Sequence, residues 1–279
     1  MKEQNGGVVL REKNGILYYT VPLFESAGGV TAAFSTRRGG VSCGKLDSLN
    51  LGFSKPEPRE NVQENYRRFF GALDLDPEKM VLTVQKHTDI ILPDAHTRTG
   101  MGWEDFPDVV ADAAYTDDPG CVLVKLTADC VPVLLYAPDV RAVAAVHDGW
   151  RSTAARLAQK TAQALVSRYG ADPKKMLAAV GPSIGPCCFE VDEPVMKIFA
   201  EAFDENVAKK TGVEKWHVDL WECNVRQLLD AGLSMEHIAV AGVCTRCSDE
   251  TLHYSYRRDG AGCGSLAAVI ALRPQKDEK

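Results

Sequence analysis

Three side chains with metal-donor chemistry lie far apart in the chain: His87, Cys130 and His147. Each stands at the C-terminal end of an apolar run, or in the turn just after one, and so projects from the end of a sheet. Two imidazoles and one thiolate suit Zn²⁺, and three protein ligands leave a fourth tetrahedral position open, the pattern of a catalytic centre. The same atoms admit a second use. Cys130 beside His147 could form a thiolate–imidazolium pair oriented by Asp129 or Asp148, which predicts acyl transfer or amide hydrolysis. A third reading is a buried cysteine and two histidines satisfied by backbone carbonyls. Ligands this far apart make no local metal motif, so spacing alone does not choose among the three.

The stretch that must bring two of these groups together runs from Cys121 to Arg151. Its apolar runs Cys121–Thr127, Val131–Ala137 and Arg141–His147 read as strands, with a tight turn at Pro138-Asp139. A turn centred near Asp139 pairs residues whose numbers sum to about 278. Cys130 and Val131 then lie opposite His147, and Gly149-Trp150-Arg151 opens the next helix at the same end. Met80–Val84 is a further short strand, running directly into Gln85-Lys86-His87-Thr88-Asp89. Around this centre, Gly15–Leu23 and Gly29–Ser35 read as β-structure. Met176–Val180, Ile238–Gly242 and Ser265–Leu272 read as strands. Helical periodicity covers Glu60–Leu73, Ser152–Tyr169, Glu193–Ala208 and Asp219–Ala231. The segment His96–Asp108 is loop-like, and its Trp103 and Phe106 could cover a cleft. No repeat or linker interrupts the chain, so residues 1–279 read as one mixed α/β unit.

A chain of 279 residues with 45% hydrophobic and 25% charged side chains supports a large packed core. The net charge of -6 and a pI near 5.6 argue against a general nucleic-acid binder. No run of about 18 apolar residues predicts a membrane span. The polar N-terminus has no signal-peptide core, which predicts a cytoplasmic protein. Nine cysteines are then expected to be reduced. Cys244-Thr245-Arg246-Cys247 and the adjacent Cys187-Cys188 read as structural or incidental thiols, adjacent cysteines being poorly placed to chelate one metal. Six histidines with no His-X-His pair are too few for a four-copper oxidase. The H-x-E and P-C-x-x-C signature of zinc nucleobase deaminases is also absent. Between Ser35 and Ser42, two arginines beside two glycines at a strand end could bind an anion.

Six segments occur in a telling order. They are Phe34–Ser42 (FSTRRGGVS), Ser48–Gly52 (SLNLG), Thr127–Pro132 (TADCVP), Val146–Arg151 (VHDGWR), Gly181–Pro186 (GPSIGP) and Ser255–Gly260 (SYRRDG). Together they resemble the YfiH family, also called laccase-domain or polyphenol oxidase-like proteins, over about residues 30 to 272. The resemblance implies an α+β fold of two mixed β-sheets stacked face to face with helices outside, in α/β/β/α layers. It implies one Zn²⁺ per chain held by His87, Cys130 and His147, with copper disfavoured. It also implies phosphorolysis of a purine nucleoside such as adenosine, inosine, guanosine or methylthioadenosine, accompanied by adenosine deaminase activity. In that scheme the partners are nucleoside and phosphate. Arg37 is the first candidate to hold phosphate, Ser35 and Arg151 are lesser ones, and Asp129 could shuttle a proton. Two departures bear on the site. Lys86-His87-Thr88 replaces the family's usual Val-His-Gly. Asp148 and Ser152 stand in the segment that usually reads His-Ala-Gly-Trp-Arg-Gly, and Asp148 would either orient His147 or face water. Two other classes remain open: a Cys130-dependent hydrolase of amide or cell-wall precursor substrates, and a non-catalytic zinc-stabilised binding module. Nothing in the sequence sets an oligomeric state.

Overall fold

The computed structural model describes residues 7–275. The polar N-terminus read above begins at residues 1–6, which lie outside the described residues. Two six-stranded sheets dominate. The first has the strand order Val9–Lys13, Ile16–Thr20, Val30–Ser35, Leu266–Leu272, Val122–Thr127 and Met80–Leu82. The second runs Ile238–Val240, Leu177–Val180, Val131–Ala137, Ala142–Asp148, Ala113–Thr116 and Ile91–Leu92. Both are mixed. Met80–Leu82 lies parallel to Val122–Thr127, and Leu177–Val180 lies parallel to Ile238–Val240. A smaller sheet joins Glu190–Asp192, Lys215–Val218 and Ala208–Gly212.

The near-continuous apolar runs at the centre follow from burial on both faces. Side chains alternate along a strand, so each central strand feeds two cores. Leu134, Tyr136, Val143 and Ala145 meet Leu123, Ala268 and Ile270 between the sheets. Their neighbours Val133, Leu135, Ala144 and Val146 face Leu157, Ala162, Leu165 and Leu228 of the outer helices Leu157–Tyr169 and Leu220–Asp230. On the far side, Val62, Tyr66, Phe69 and Phe70 of Arg59–Leu73 pack on Val124, Val269 and Ala271. The result is the expected α/β/β/α stack. Among the described residues, no helix is long and apolar enough to cross a membrane.

Several elements differ from the sequence reading. The hairpin register is one residue off: Pro132, not Val131, pairs with His147. Ala137 pairs with Ala142, so the loop spans Pro138–Arg141, and Arg141 takes a positive φ of 52° that delays the second strand. The expected helix Ser152–Tyr169 is two helices, Trp150–Ala154 and Leu157–Tyr169. Arg156 breaks it with φ 62°, and its guanidinium is held by Gln159, the Ala202 carbonyl and Asp230. The helix expected over Glu193–Ala208 stops at Phe203, because Asp204 at φ 92° turns the chain into the small sheet. Ala113–Thr116 was not expected as a strand. It is short and alanine-rich, with little β-propensity to announce it.

The tail folds back onto the first sheet through His253. Its ring stacks on Tyr19 with centroids 5.8 Å apart, and its Nε2 and Nδ1 lie 3.1 Å and 3.0 Å from the Tyr19 and Ser248 hydroxyls. Burial pushes the His253 pKa down to about 4, well below the free imidazole. A histidine that is hard to protonate when folded contributes stability that is intact above about pH 6.5 and is lost as pH falls toward about 4. In urea unfolding, lowering the pH from about 7 to about 5 should cost the native chain about 2 kcal/mol more than it costs His253→Gln.

Candidate metal centre and cleft

The hairpin of the second sheet delivers two of the three donors. Val143 and Ala145 point between the sheets, and His147, two residues on, continues that face at the strand's end. Cys130 stands just before the partner strand, which begins at Val131. His87 comes from another place, the turn after Met80–Leu82, where it holds a positive φ of 60°. The donor atoms of His87, Cys130 and His147 all lie within 4.8 Å of one another. Cys130 Sγ is 3.6 Å from His87 Nε2, and the two imidazole centroids are 5.0 Å apart. This His-Cys-His group can hold a metal ion. Gly149 is required by the same crowding: a Cβ there would stand 2.4 Å from His87 Cδ2 and 3.2 Å from Cys130 Sγ.

One residue that the sequence reading did not single out organises the group. Asp112, fully buried, accepts the backbone N–H groups of Lys86, His87 and Thr88 at 3.2, 3.0 and 2.7 Å, and the Thr88 hydroxyl at 2.7 Å. Its Oδ1 also lies 2.8 Å from His147 Nδ1. This contact commits Nδ1 and leaves Nε2 to face the donor group, the arrangement by which a carboxylate orients a metal-binding imidazole. Burial alone would raise the Asp112 pKa, but hydrogen bonds from His147 and Thr88 hold it far below the usual carboxylate range. Burial lowers the His147 pKa against the pull of Asp112, which favours the neutral ring, the form that can bind a metal. Burial, reinforced by Asp129, Asp148 and Asp112, pushes the Cys130 thiol up to about 12. Without a cation the thiol therefore keeps its proton; a bound metal ion would supply the charge to ionise it.

The donors open into a cleft of about 610 Å³ whose walls include Trp150, Ile184, Phe189 and Tyr256. A second hollow of about 450 Å³ shares His87, His147, Leu126 and Ser265 with it and carries Phe53 and Phe106. Phe106 is thus beside the site, as expected of a cleft cover, whereas Trp103 is buried. Arg151 and Arg257 line the larger cleft, and among the described residues neither forms an ion pair with a carboxylate. Arg151 stacks 4.1 Å over the Trp150 ring, and Arg257 lies 5.5 Å from the Phe189 centroid.

The other sequence candidates fall elsewhere or into other work. Ser35 is buried in its strand, and its hydroxyl accepts the Ala267 N–H at 2.9 Å. Arg37 lines a separate hollow with Arg38, Lys45 and Arg258. Its Nε donates to the Asp47 carbonyl at 2.7 Å, and its guanidinium lies 4.4 Å over Tyr254. Asp129 borders the cleft, yet its carboxylate accepts from the Thr245 and Ser255 hydroxyls and the Arg257 N–H at 2.6, 3.0 and 2.6 Å. Asp148 neither orients His147 nor meets water. Strand alternation turns it under the outer helices, where Gln227 Nε2 lies 3.4 Å from Oδ2 and Oδ1 has no partner. Burial raises its pKa to about 8, so it is mostly protonated at pH 7. Arg257 and Asp112 were both missed. Arg257 stood in a quoted motif, and Asp112 stood in no motif at all.

Replacing Asp112 by Asn removes the charge that fixes both the His87 turn and the His147 ring. Metal affinity, measured by competition with a chromophoric chelator, should fall by about 10- to 100-fold.

Residues 31–273 match the family described as multi-copper polyphenol oxidoreductase laccase. The chain is 34% identical to the purine nucleoside phosphorylase YlmD of Geobacillus stearothermophilus over 270 residues, covering 95% of this chain and 97% of that protein. It is 38% identical to the purine nucleoside phosphorylase YfiH of Escherichia coli over 255 residues, covering 90% of this chain and 98% of the relative. The crystal structure of the Geobacillus stearothermophilus YlmD superposes with a TM-score of 0.89 over 96% of this chain and all (100%) of that one. That of a Bacillus licheniformis hypothetical protein YfiH, 29% identical, gives 0.88 over 95% and 99%. The family model spans most of the chain, and relatives at least 34% identical cover 90% or more of it, so the chain belongs to this laccase-domain family, the YfiH family.

Proposed function

We propose that the protein is a zinc-dependent purine nucleoside phosphorylase whose centre is the cleft around His87, Cys130 and His147. The observation that carries the reading is the joining, in one cleft, of this donor trio with aromatic walls and two arginines that form no ion pair among the described residues. The naming of relatives that cover nearly the whole chain as purine nucleoside phosphorylases supports it. Two imidazoles and one thiolate suit Zn²⁺, and six histidines with no His-X-His pair are too few for a four-copper oxidase.

In this reading His87, Cys130 and His147 hold the ion, Asp112 fixes the tautomer of His147, and the ion supplies Lewis-acid polarisation in the cleft. Trp150, Phe189 and Tyr256 offer apolar faces for a flat purine. Arg151 and Arg257 bind the phosphate dianion by charge-assisted hydrogen bonds. They replace Arg37 and Ser35 in that role, since those residues lie outside the cleft; Arg257 Nη1 donates to the Cys188 and Glu190 carbonyls at 3.3 and 3.1 Å, which holds its guanidinium at the cleft wall. A phosphate oxygen bonds to C1′ of the ribose as the C1′–N9 bond breaks, and the bonding pair leaves with the purine. Positive charge builds on the ribose in between, and a phosphate dianion held beside it lowers the barrier. Asp129 is assigned a positioning role: its three hydrogen bonds tie the Cys130 turn to Thr245, Ser255 and Arg257. Adenosine deaminase activity, in which water adds at C6 of the base and the C6–N bond breaks to release ammonia and leave inosine, is included as a second reaction of the same centre. The alternative of a Cys130 nucleophile fits less well, because burial and three nearby aspartates hold the thiol protonated.

Purified protein of measured zinc content should convert adenosine and phosphate into adenine and ribose 1-phosphate. That activity should be lost on chelation, restored by zinc and absent from His87→Ala. Conversion unaffected by chelation would sink the reading, and inosine formed without phosphate would report the deaminase. In the same assay, Arg151→Ala and Arg257→Ala should each raise the KM for phosphate by about tenfold or more, with a smaller change in the KM for nucleoside.

A further inference from the structure

A second set of donors lies outside the reaction proposed above. The sulfur atoms of Cys187, Cys188, Cys244 and Cys247 all lie within 4.8 Å of one another, and Cys187 Sγ is 3.4 Å from Cys247 Sγ. None of the four is in a disulfide. The sequence reading treated both pairs as structural or incidental thiols, with the adjacent Cys187 and Cys188 poorly placed to share a metal. The fold changes that geometry. Cys188 and Phe189 both donate their N–H groups to the Gly185 carbonyl, which curls the Cys187-Cys188 segment into a tight turn facing the CxxC. We propose that these four cysteines form a second metal site, a structural tetrathiolate zinc centre.

Distance, support and access all bear on this. A tetrahedral Zn²⁺ with Zn–S bonds of about 2.3 Å spaces its sulfurs about 3.8 Å apart, so the four need move little. The two loops are already paired: Ser183 and Cys244 form a parallel bridge, and the Thr245 N–H donates to the Ser183 carbonyl at 3.0 Å. Donors aim at the sulfurs. The Gly185 N–H lies 3.3 Å from Cys244 Sγ, and Arg246 Nη1 lies 3.4 Å from Cys188 Sγ. Four thiolates around a dication carry two excess negative charges, and such donors offset them. Cys188 and Cys244 are buried while Cys187 and Cys247 are exposed, which gives the ion a rigid floor and an entrance from solvent. Gly185 keeps the floor tight, since a Cβ there would meet the Trp221 ring at 2.7 Å.

Binding releases the thiol protons and adds folding free energy to the two loops it joins. Those loops shape the cleft. One supplies Ile184 and Phe189 to its wall, and the other carries Thr245, which holds Asp129.

The test is metal content and cobalt spectroscopy on the full chain, prepared under reducing, oxygen-free conditions. The native protein should hold two zinc equivalents, and both His87→Ala and the double variant Cys187→Ser/Cys247→Ser should hold one. After cobalt substitution, intense thiolate-to-cobalt charge-transfer absorption should persist in His87→Ala and collapse in the double variant, which retains a single thiolate ligand in its remaining site. Chelation should lower the melting temperature of His87→Ala. Either of two results would overturn the proposal: a single equivalent in the native chain that disappears with His87→Ala, or a Cys187–Cys247 disulfide that persists in protein kept reduced throughout. Because the readouts are stoichiometry and spectrum, they stand apart from nucleoside turnover.

Discussion

The site depends on one buried carboxylate. Asp112 gathers three consecutive backbone N–H groups, a hydroxyl and an imidazole around two oxygen atoms. Without it, the turn at residues 86–88 would leave its N–H groups unsatisfied, His87 would have no reason to hold a left-handed backbone, and His147 would be free to rotate. Such a carboxylate is tolerable inside a protein only because its charge is fully hydrogen-bonded. A basic side chain lies near: the Nζ of the buried Lys125 donates to the Thr83 hydroxyl at 2.5 Å, and burial brings its pKa down to about 7. The end of the sheet-to-sheet interface is therefore a polar layer beneath the cleft, and the donor trio is set on top of it.

Much of the architecture was legible because the central strands carry strong signals. The long apolar runs at Val131–Ala137 and Leu266–Leu272, and the helical period of Arg59–Leu73, specify burial on two faces or one. What the pattern could not carry was local backbone choice. Arg156 and Asp204 stop helices through left-handed or otherwise positive φ values that their residue types do not announce, and exposed lysines hide the small sheet around Lys215–Val218. The donor trio was reachable from residue type and strand pairing, and the family motifs sharpened it. Asp112 was not reachable, because an aspartate between two alanines in an apolar stretch reads as a turn. Arg37 drew attention through its glycine neighbours, yet those glycines serve close packing: a Cβ on Gly40 would stand 2.1 Å from the Ser48 carbonyl oxygen. The four-cysteine cluster was invisible for a topological reason. Its halves are some sixty positions apart and are brought together by the fold, across the bridge at Ser183 and Cys244.

The two donor clusters also differ in mechanical setting. His147 and Cys130 belong to a hairpin whose strands are hydrogen-bonded on both sides by Leu177–Val180 and Ala113–Thr116. The cysteine cluster sits on loops, where a crosslink adds most to order. The cleft lies between these two regimes, with a rigid floor from the sheets and a wall that depends on loop geometry.

The hairpin also sets rules for how this chain can change length. His147 and Asp148 are neighbours on one strand but belong to opposite layers, the imidazole in the cleft floor and the carboxyl beneath the helices. An extra residue in the Pro138–Arg141 loop leaves both where they are, because the strands are pinned from either side. The same insertion inside Ala142–Asp148 would exchange them, burying an imidazole among apolar side chains and presenting a carboxyl where the donor nitrogen belongs. Related chains should therefore vary freely in length at that loop and scarcely at all in the seven residues that follow it.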